Sequence, residues 1–133
     1  MNDLMLYSFI GLVILYILYA KGVILADFNF ATPKEAKDII ENEAKNTIIL
    51  DVRTDAEYQT QGYIKNAILI PVTELSARLD ELKKFKNHKI VVYCASGNRS
   101  ISASRILYKN EFNPYNLNGG INNWKKSGYT ISK

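Results

Sequence analysis

The stretch from Ile90 to Ser104, IVVYCASGNRSISAS, runs from an apolar segment straight into a cysteine, through small residues, and on into an amphipathic pattern. A continuous apolar run of this length predicts a strand covered on both faces, as in a parallel sheet. The strand is followed by a tight loop and a helix. Cys94 therefore stands where backbone N–H groups of the loop and of the first helical turn converge. Such groups carry positive partial charge and stabilise a thiolate or a bound anion. Gly97 permits backbone angles and close approaches that a side chain would block. Arg99 adds a permanent cation able to grip an oxyanion through two N–H groups. A lone cysteine at a strand end is commonly just a small buried hydrophobe. The combination with Gly97, Arg99 and a helix start favours chemistry.

Outward from this unit, apolar runs alternate with amphipathic stretches, which predicts an α/β domain. Thr32, Pro33 and Glu35 read as a capping box with proline at the first helical position, opening a helix that carries Ala36, Ile39 and Ile40 and ends near Asn46. Thr47–Val52 (TIILDV) reads as a buried strand and Asp55–Gln61 as a short helix. Ala67–Ile70 is a further strand stopped by Pro71. Thr73 opens a helix with Leu75, Leu79 and Leu82 at helical spacing. Beyond the Ile90–Tyr93 strand come a helix over Arg99–Tyr108, a strand over Tyr115–Leu117, and a helix over Ile121–Lys126 ended by Gly128. Lys83, Lys84, Lys86 and Lys89 read as a solvated face, and His88 as a turn residue before a strand. Trp124 reads as core.

The amino terminus is different in kind. Leu4 to Ala20 carries no formal charge, and apolar character resumes after Lys21 through Ala26. A helix over Leu4–Ala26 would be about 34 Å long, against a bilayer core of about 30 Å. Lys21 can snorkel to the headgroups, and Tyr7, Tyr16 and Tyr19 sit near the two ends, where amphipathic rings favour the interface. No basic residue precedes the run, which argues against a cleaved secretory signal. The expected organisation is an anchor over residues 1–26 and one domain over 27–133. Lys21, Lys34 and Lys37 after the span place that domain on the cytoplasmic side.

Composition narrows the chemistry. With 133 residues and a net charge of +4, the chain is one mildly basic domain, and nucleic-acid binding gains little support. One cysteine and one histidine exclude an internal disulfide and a structural zinc site, so no metal is expected.

Asp51-Val52-Arg53, Glu57-Tyr58, Gly62, Ile64, Ala67, Ile70-Pro71, Val92-Tyr93-Cys94, Gly97, Arg99-Ser100, Ala103, Leu107, Leu117, Gly119-Gly120-Ile121, Trp124 and Gly128-Tyr129 together resemble a single rhodanese domain across residues 28–132. The resemblance implies a doubly wound parallel sheet with helices on both faces. It implies that Cys94 accepts a sulfane sulfur as a persulfide, cradled by Ala95, Ser96, Gly97, Asn98 and Arg99. Asp51, Arg53, Glu57 and Ser100 would brace that loop. The implied activity is sulfur transfer from thiosulfate or a small-molecule or protein persulfide to a thiol or other nucleophile, with no cofactor. The chain departs from the family at GYIKNA (62–67), where G-H-I-x-G-A is usual, so local packing there is the open question. Two rivals remain. Cysteine phosphatases and arsenate reductases also place a cysteine before an arginine, but with five residues between them, whereas here there are four. A membrane-tethered persulfide carrier would use the same loop.

Overall fold

The computed structural model describes residues 2–21 and 28–133. The part of the expected anchor from Gly22 to Ala26, and the domain boundary at Asp27, lie outside the described residues. Helix α1 (Asp3–Ala20) is capped by the Asn2 side chain, which accepts from the Met5 amide at 2.9 Å. It is apolar all round and contributes no buried residue, so it is not a core helix. Among the described residues it is the one helix long and apolar enough to cross a membrane.

The domain is a five-stranded sheet in the order β1-β5-β4-β2-β3, with every pairing parallel. Its elements are β1 (Asn29–Ala31), α2 (Pro33–Asn42), β2 (Thr47–Asp51), α3 (Asp55–Gln61), β3 (Ile68–Leu69), α4 (Val72–Leu75), β4 (Lys89–Tyr93), α5 (Asn98–Lys109), β5 (Asn113–Leu117) and α6 (Gly120–Lys126). The period of two sorts the strand residues onto two cores. Leu50, Val52, Ile90, Val92 and Cys94 face one core, built with Leu75, Leu82, Ala103 and Leu107. Ile49, Val91, Tyr93 and Leu117 face the other, built with Ala36, Ile121 and Trp124. Helices therefore cover both faces, as continuous apolar strands require.

Three expectations change. The edge strand β1 is absent from the sequence reading, because three residues, only Ala31 of them fully buried, leave too short a pattern to detect. The helix expected from Thr73 is a single α-turn, α4, continued as 3₁₀ turns over Ser76–Phe85. Leu75 and Leu82 still reach the core, since packing needs only their positions. The helix expected to end near Asn46 stops at Asn42, and a 3₁₀ turn fills Ala44–Asn46. At GYIKNA the packing is restored by other means. Asn66 takes the left-handed conformation (φ +70°) usual for glycine, which asparagine tolerates. Tyr63 stacks on Tyr58 at 4.1 Å and exchanges backbone hydrogen bonds with Ser132.

Strand order reverses between β2 and β4: the chain runs outward from β2 to β3, then returns to β4 and goes on to β5. In open parallel sheets ligands bind beyond the carboxyl ends of the strands at such a reversal. Asp51 pairs with Tyr93 in register, so the segments leaving β2 and β4 emerge side by side there.

Candidate active site

Cys94 directly follows Tyr93, the last residue of β4, and its thiol is buried. The chain turns over Ala95 and Ser96 to Gly97, whose φ of +109° is open to glycine alone at little cost. That turn directs the Gly97 N–H back at Cys94 Sγ, at 3.0 Å. Ser100 Oγ lies 3.5 Å from the sulfur, accepts from it, and donates to the Gly97 carbonyl at 3.1 Å. Ser100 thus ties the sulfur, the turn and α5 together. No side chain caps α5, and its first N–H groups have no intrahelical acceptor. Ser96 and Asn98 are exposed at the mouth, Ala95 and Arg99 are half-buried, and Gly97 is buried.

Arg99 is engaged differently from the expectation that it stands ready to grip an oxyanion. Its Nη1 and Nη2 donate to Glu57 Oε1 and Oε2 at 2.6 and 2.8 Å, a two-pronged pair. Glu57 is fixed in turn by the α3 cap: Thr54 donates from its backbone N and from Oγ1 to Glu57 Oε1, and the Glu57 N–H donates back to Thr54 Oγ1. The Arg99 hydrogen bonds dominate in pulling the Glu57 carboxyl down to about 2. Glu57 holds the Arg99 guanidinium above its ordinary range, with the neighbouring Cys94 sulfur adding a smaller push in the same direction. Of the five N–H donors of a guanidinium, two are taken by Glu57. Among the described residues the other donors have no hydrogen-bond partner.

Beneath the loop lies a second pair. Arg53 and Asp51 are fully buried; Arg53 Nη2 donates to Asp51 Oδ2 at 2.7 Å and Nε donates to both carboxylate oxygens. The Arg53 N–H closes a local turn on Asp51 Oδ1, and Nη2 also reaches the Gly62 carbonyl. The guanidinium sits 5.6 Å from the centre of the Tyr93 ring. Tyr93 accepts from the Ile64 N–H, and burial together with the Asp51 charge pushes its phenol far above its ordinary range. Asp51 and Arg53 therefore brace the ends of β2 and β4, while Glu57 touches the loop itself through Arg99.

The sequence reading missed the role of Gly120. The Ile121 and Asn122 N–H groups donate to the Cys94 and Ala95 carbonyls at 2.9 and 3.1 Å, fastening the start of the loop to α6. A Cβ on Gly120 would lie 2.5 Å from both of those carbonyl oxygens. The paired glycines Gly119-Gly120 were the available signal, since α6 can approach the loop backbone this closely only without a side chain. His88 precedes β4 at the end opposite Cys94, away from the thiol. Trp124 is buried, stacks edge-on against Tyr129 and donates to the Thr130 carbonyl. It is a core residue.

The family description that matches residues 32–127 is "Rhodanese-like domain". A sulfurtransferase of Allochromatium vinosum is 33% identical over 90 residues, which is 67% of this chain and 81% of that protein. A tRNA uridine(34) hydroxylase of Buchnera aphidicola is 34% identical over 97 residues, 69% of this chain but 30% of that protein. The chain thus spans under a third of that relative's length. Among solved structures, a rhodanese-like domain protein from Staphylococcus aureus superposes with a TM-score of 0.64 at 36% identity, covering 80% of this chain and all of that one.

Proposed function

From the premise that this chain belongs to the rhodanese-like family, we propose that it is a membrane-anchored sulfurtransferase working through a persulfide on Cys94. The Cys94 thiolate attacks the outer sulfur of thiosulfate, the S–S bond of the donor breaks with its electron pair on the departing sulfite, and Cys94 is left carrying the transferred sulfur. A thiolate acceptor then attacks that outer sulfur, becomes a persulfide itself, and returns Cys94 as thiolate. This is two-step covalent catalysis, in which one nucleophile divides the transfer into two displacements. The Gly97 N–H aimed at the sulfur carries the reading, because it can hold a thiolate and, after transfer, the sulfur attached to Cys94. The α5 N–H groups and the unpaired donors of Arg99 hold the sulfonate end. Asn98 and Ser96 line the mouth, while Ala95 contributes its backbone.

Residues 1–26 act as the anchor and 27–133 as the catalytic domain, with the domain facing the cytoplasm by the lysine bias after the span. The activity of the tRNA uridine(34) hydroxylases belongs to proteins several times larger and is not extended to this chain. Intact-mass measurement before and after thiosulfate tests the mechanism. The wild-type protein should gain the mass of one sulfur, and Cys94→Ser should gain none and transfer none while keeping its fold. Retained turnover in that variant would sink the mechanism.

A further inference from the structure

The end of α1 does not stand apart from the domain. Arg105, on α5, lays its guanidinium over the Tyr19 ring, 4.3 Å from the ring centre, and donates through Nη2 to the Tyr19 carbonyl. The last carbonyls of a helix lack intrahelical donors and carry partial negative charge, so a cation placed there satisfies one and complements the helix end. The last turn of α1 has no basic residue of its own. Arg105 adds a cation from α5 to this helix end, and the next two residues, Ala20 and Lys21, lie beside the first turns of α5.

Between the two elements this leaves a cleft of about 420 Å³ lined by Ala20, Lys21, Asn98, Arg99 and Ser102. It opens beside the first turns of α5, immediately after the Cys94 loop. Its charge balance is informative. Arg99 is matched by the Glu57 carboxylate, so that pair presents almost no net charge to an approaching anion. Lys21 is the other cation lining the cleft. Among the described residues Lys21 has no salt-bridge partner, and a doubly charged donor is drawn in by such a cation far better than by a neutralised pair.

We infer that Lys21, contributed by the anchor helix, is a positioning residue for dianionic sulfur donors such as thiosulfate, and that the α1–α5 cleft is their entry subsite. The inference rests on the sulfur-transfer reading for the identity of the donor, but not for the binding of the anion. The anchor then completes the active-site mouth as well as tethering the domain.

The test uses the full chain in detergent micelles at ionic strength held constant with chloride. Sulfate, a dianion with no sulfur to transfer, is titrated against the rate at which iodoacetamide alkylates Cys94, the chain's only thiol. Lys21→Gln should raise the half-protecting sulfate concentration roughly two- to fivefold, the size expected of one partly exposed charge contact. Lys21→Glu, which changes the local charge twice as much, should shift it by roughly the square of that factor, and Lys21→Arg should restore protection. Arg105→Ala, which releases the α1 end, should move in the same direction as Lys21→Gln. Thiosulfate KM should rise with the sulfate value while kcat stays within about twofold. At 1 M chloride, where the screening length falls to about 3 Å, the variants should converge. Equal protection of wild type and Lys21→Gln, or no protection by sulfate at all, overturns the inference. Sulfate protection that depends on Lys21 in a protein that transfers no sulfur would retire the sulfur-transfer reading and leave the subsite standing.

Discussion

Two Arg–carboxylate pairs flank the Cys94 loop, one beneath it and one beside it, and they differ in how much water reaches them. Asp51 and Arg53 are wholly withdrawn from solvent, whereas the Glu57 and Arg99 side chains retain 20% and 37% exposure. In the buried pair every link is inward: to the turn at Arg53, to the Gly62 carbonyl, and to the face of Tyr93. In the exposed pair one partner is locked into the α3 cap and the other, half-exposed, lines the cleft beside α5. The same two functional groups thus form an interior brace in one place and, in the mechanism proposed above, a substrate contact in the other. Burial decides which, because a buried charge cannot be left unpaired while a half-exposed one can exchange partners with water or ligand.

The strongest attempt to break this contrast is to remove one charge from each pair. Arg53→Ala leaves Asp51 ionised without its partner in the interior and should cost about 3–5 kcal/mol of stability, read from thermal unfolding of the full chain in detergent. Replacing both residues together with apolar ones of similar size should cost less than that single change. If Arg53→Ala unfolds at the wild-type temperature, the buried pair is not a brace.

Arg99→Ala should do the opposite, leaving stability within about 1 kcal/mol but lowering thiosulfate kcat/KM roughly 10- to 100-fold, the effect of losing a charge-assisted hydrogen bond of about 1.5–3 kcal/mol. An uncharged sulfur donor has no sulfonate to lose and should suffer much less. Equal losses for both donors would assign Arg99 to activating Cys94 instead of holding the substrate.

The smallest effect belongs to Glu57→Gln, which keeps the side chain's shape and removes the charge. Because the folded carboxyl lies near 2, below its ordinary value of 4.5, the pair's contribution to stability is fully present above about pH 4.5 and is lost as pH falls toward 2. The unfolding temperatures of wild type and Glu57→Gln should therefore differ modestly at pH 7 and converge between pH 4.5 and 2. A gap that widens on acidification would contradict the assignment of the ion pair.

Much of this was legible in the sequence for local reasons. The α3 boundaries follow from the Thr54 cap and the glycine at position 62, and β4 follows from an apolar run that only a doubly covered strand tolerates. The cysteine loop is visible because its turn, its glycine and its arginine lie within six residues. Asp51, Arg53 and Glu57 could be grouped as loop support, but nothing near them in the chain separates the buried brace from the residue that touches the loop. The same limit hid β1 and the 3₁₀ continuation after α4, where three residues or an ambiguous periodicity carry too little signal.

The sequence by itself determined the alternation of strands and helices from α2 onward, the burial of the central strands, the position of the lone thiol at a strand end and the apolar character of the first helix. These are patterns of near neighbours, repeated every two or every three to four residues. Only the tertiary structure decided that Glu57 meets Arg99 across 42 positions, that the amides after Gly120 fasten the Cys94 and Ala95 carbonyls, and that Lys21 comes to share a cleft with Arg99. Those contacts depend on β2 and β4 pairing so that Asp51 lies beside Tyr93. That register is set by packing both faces of the sheet at once, and a shift of one residue would turn every side chain to the opposite face.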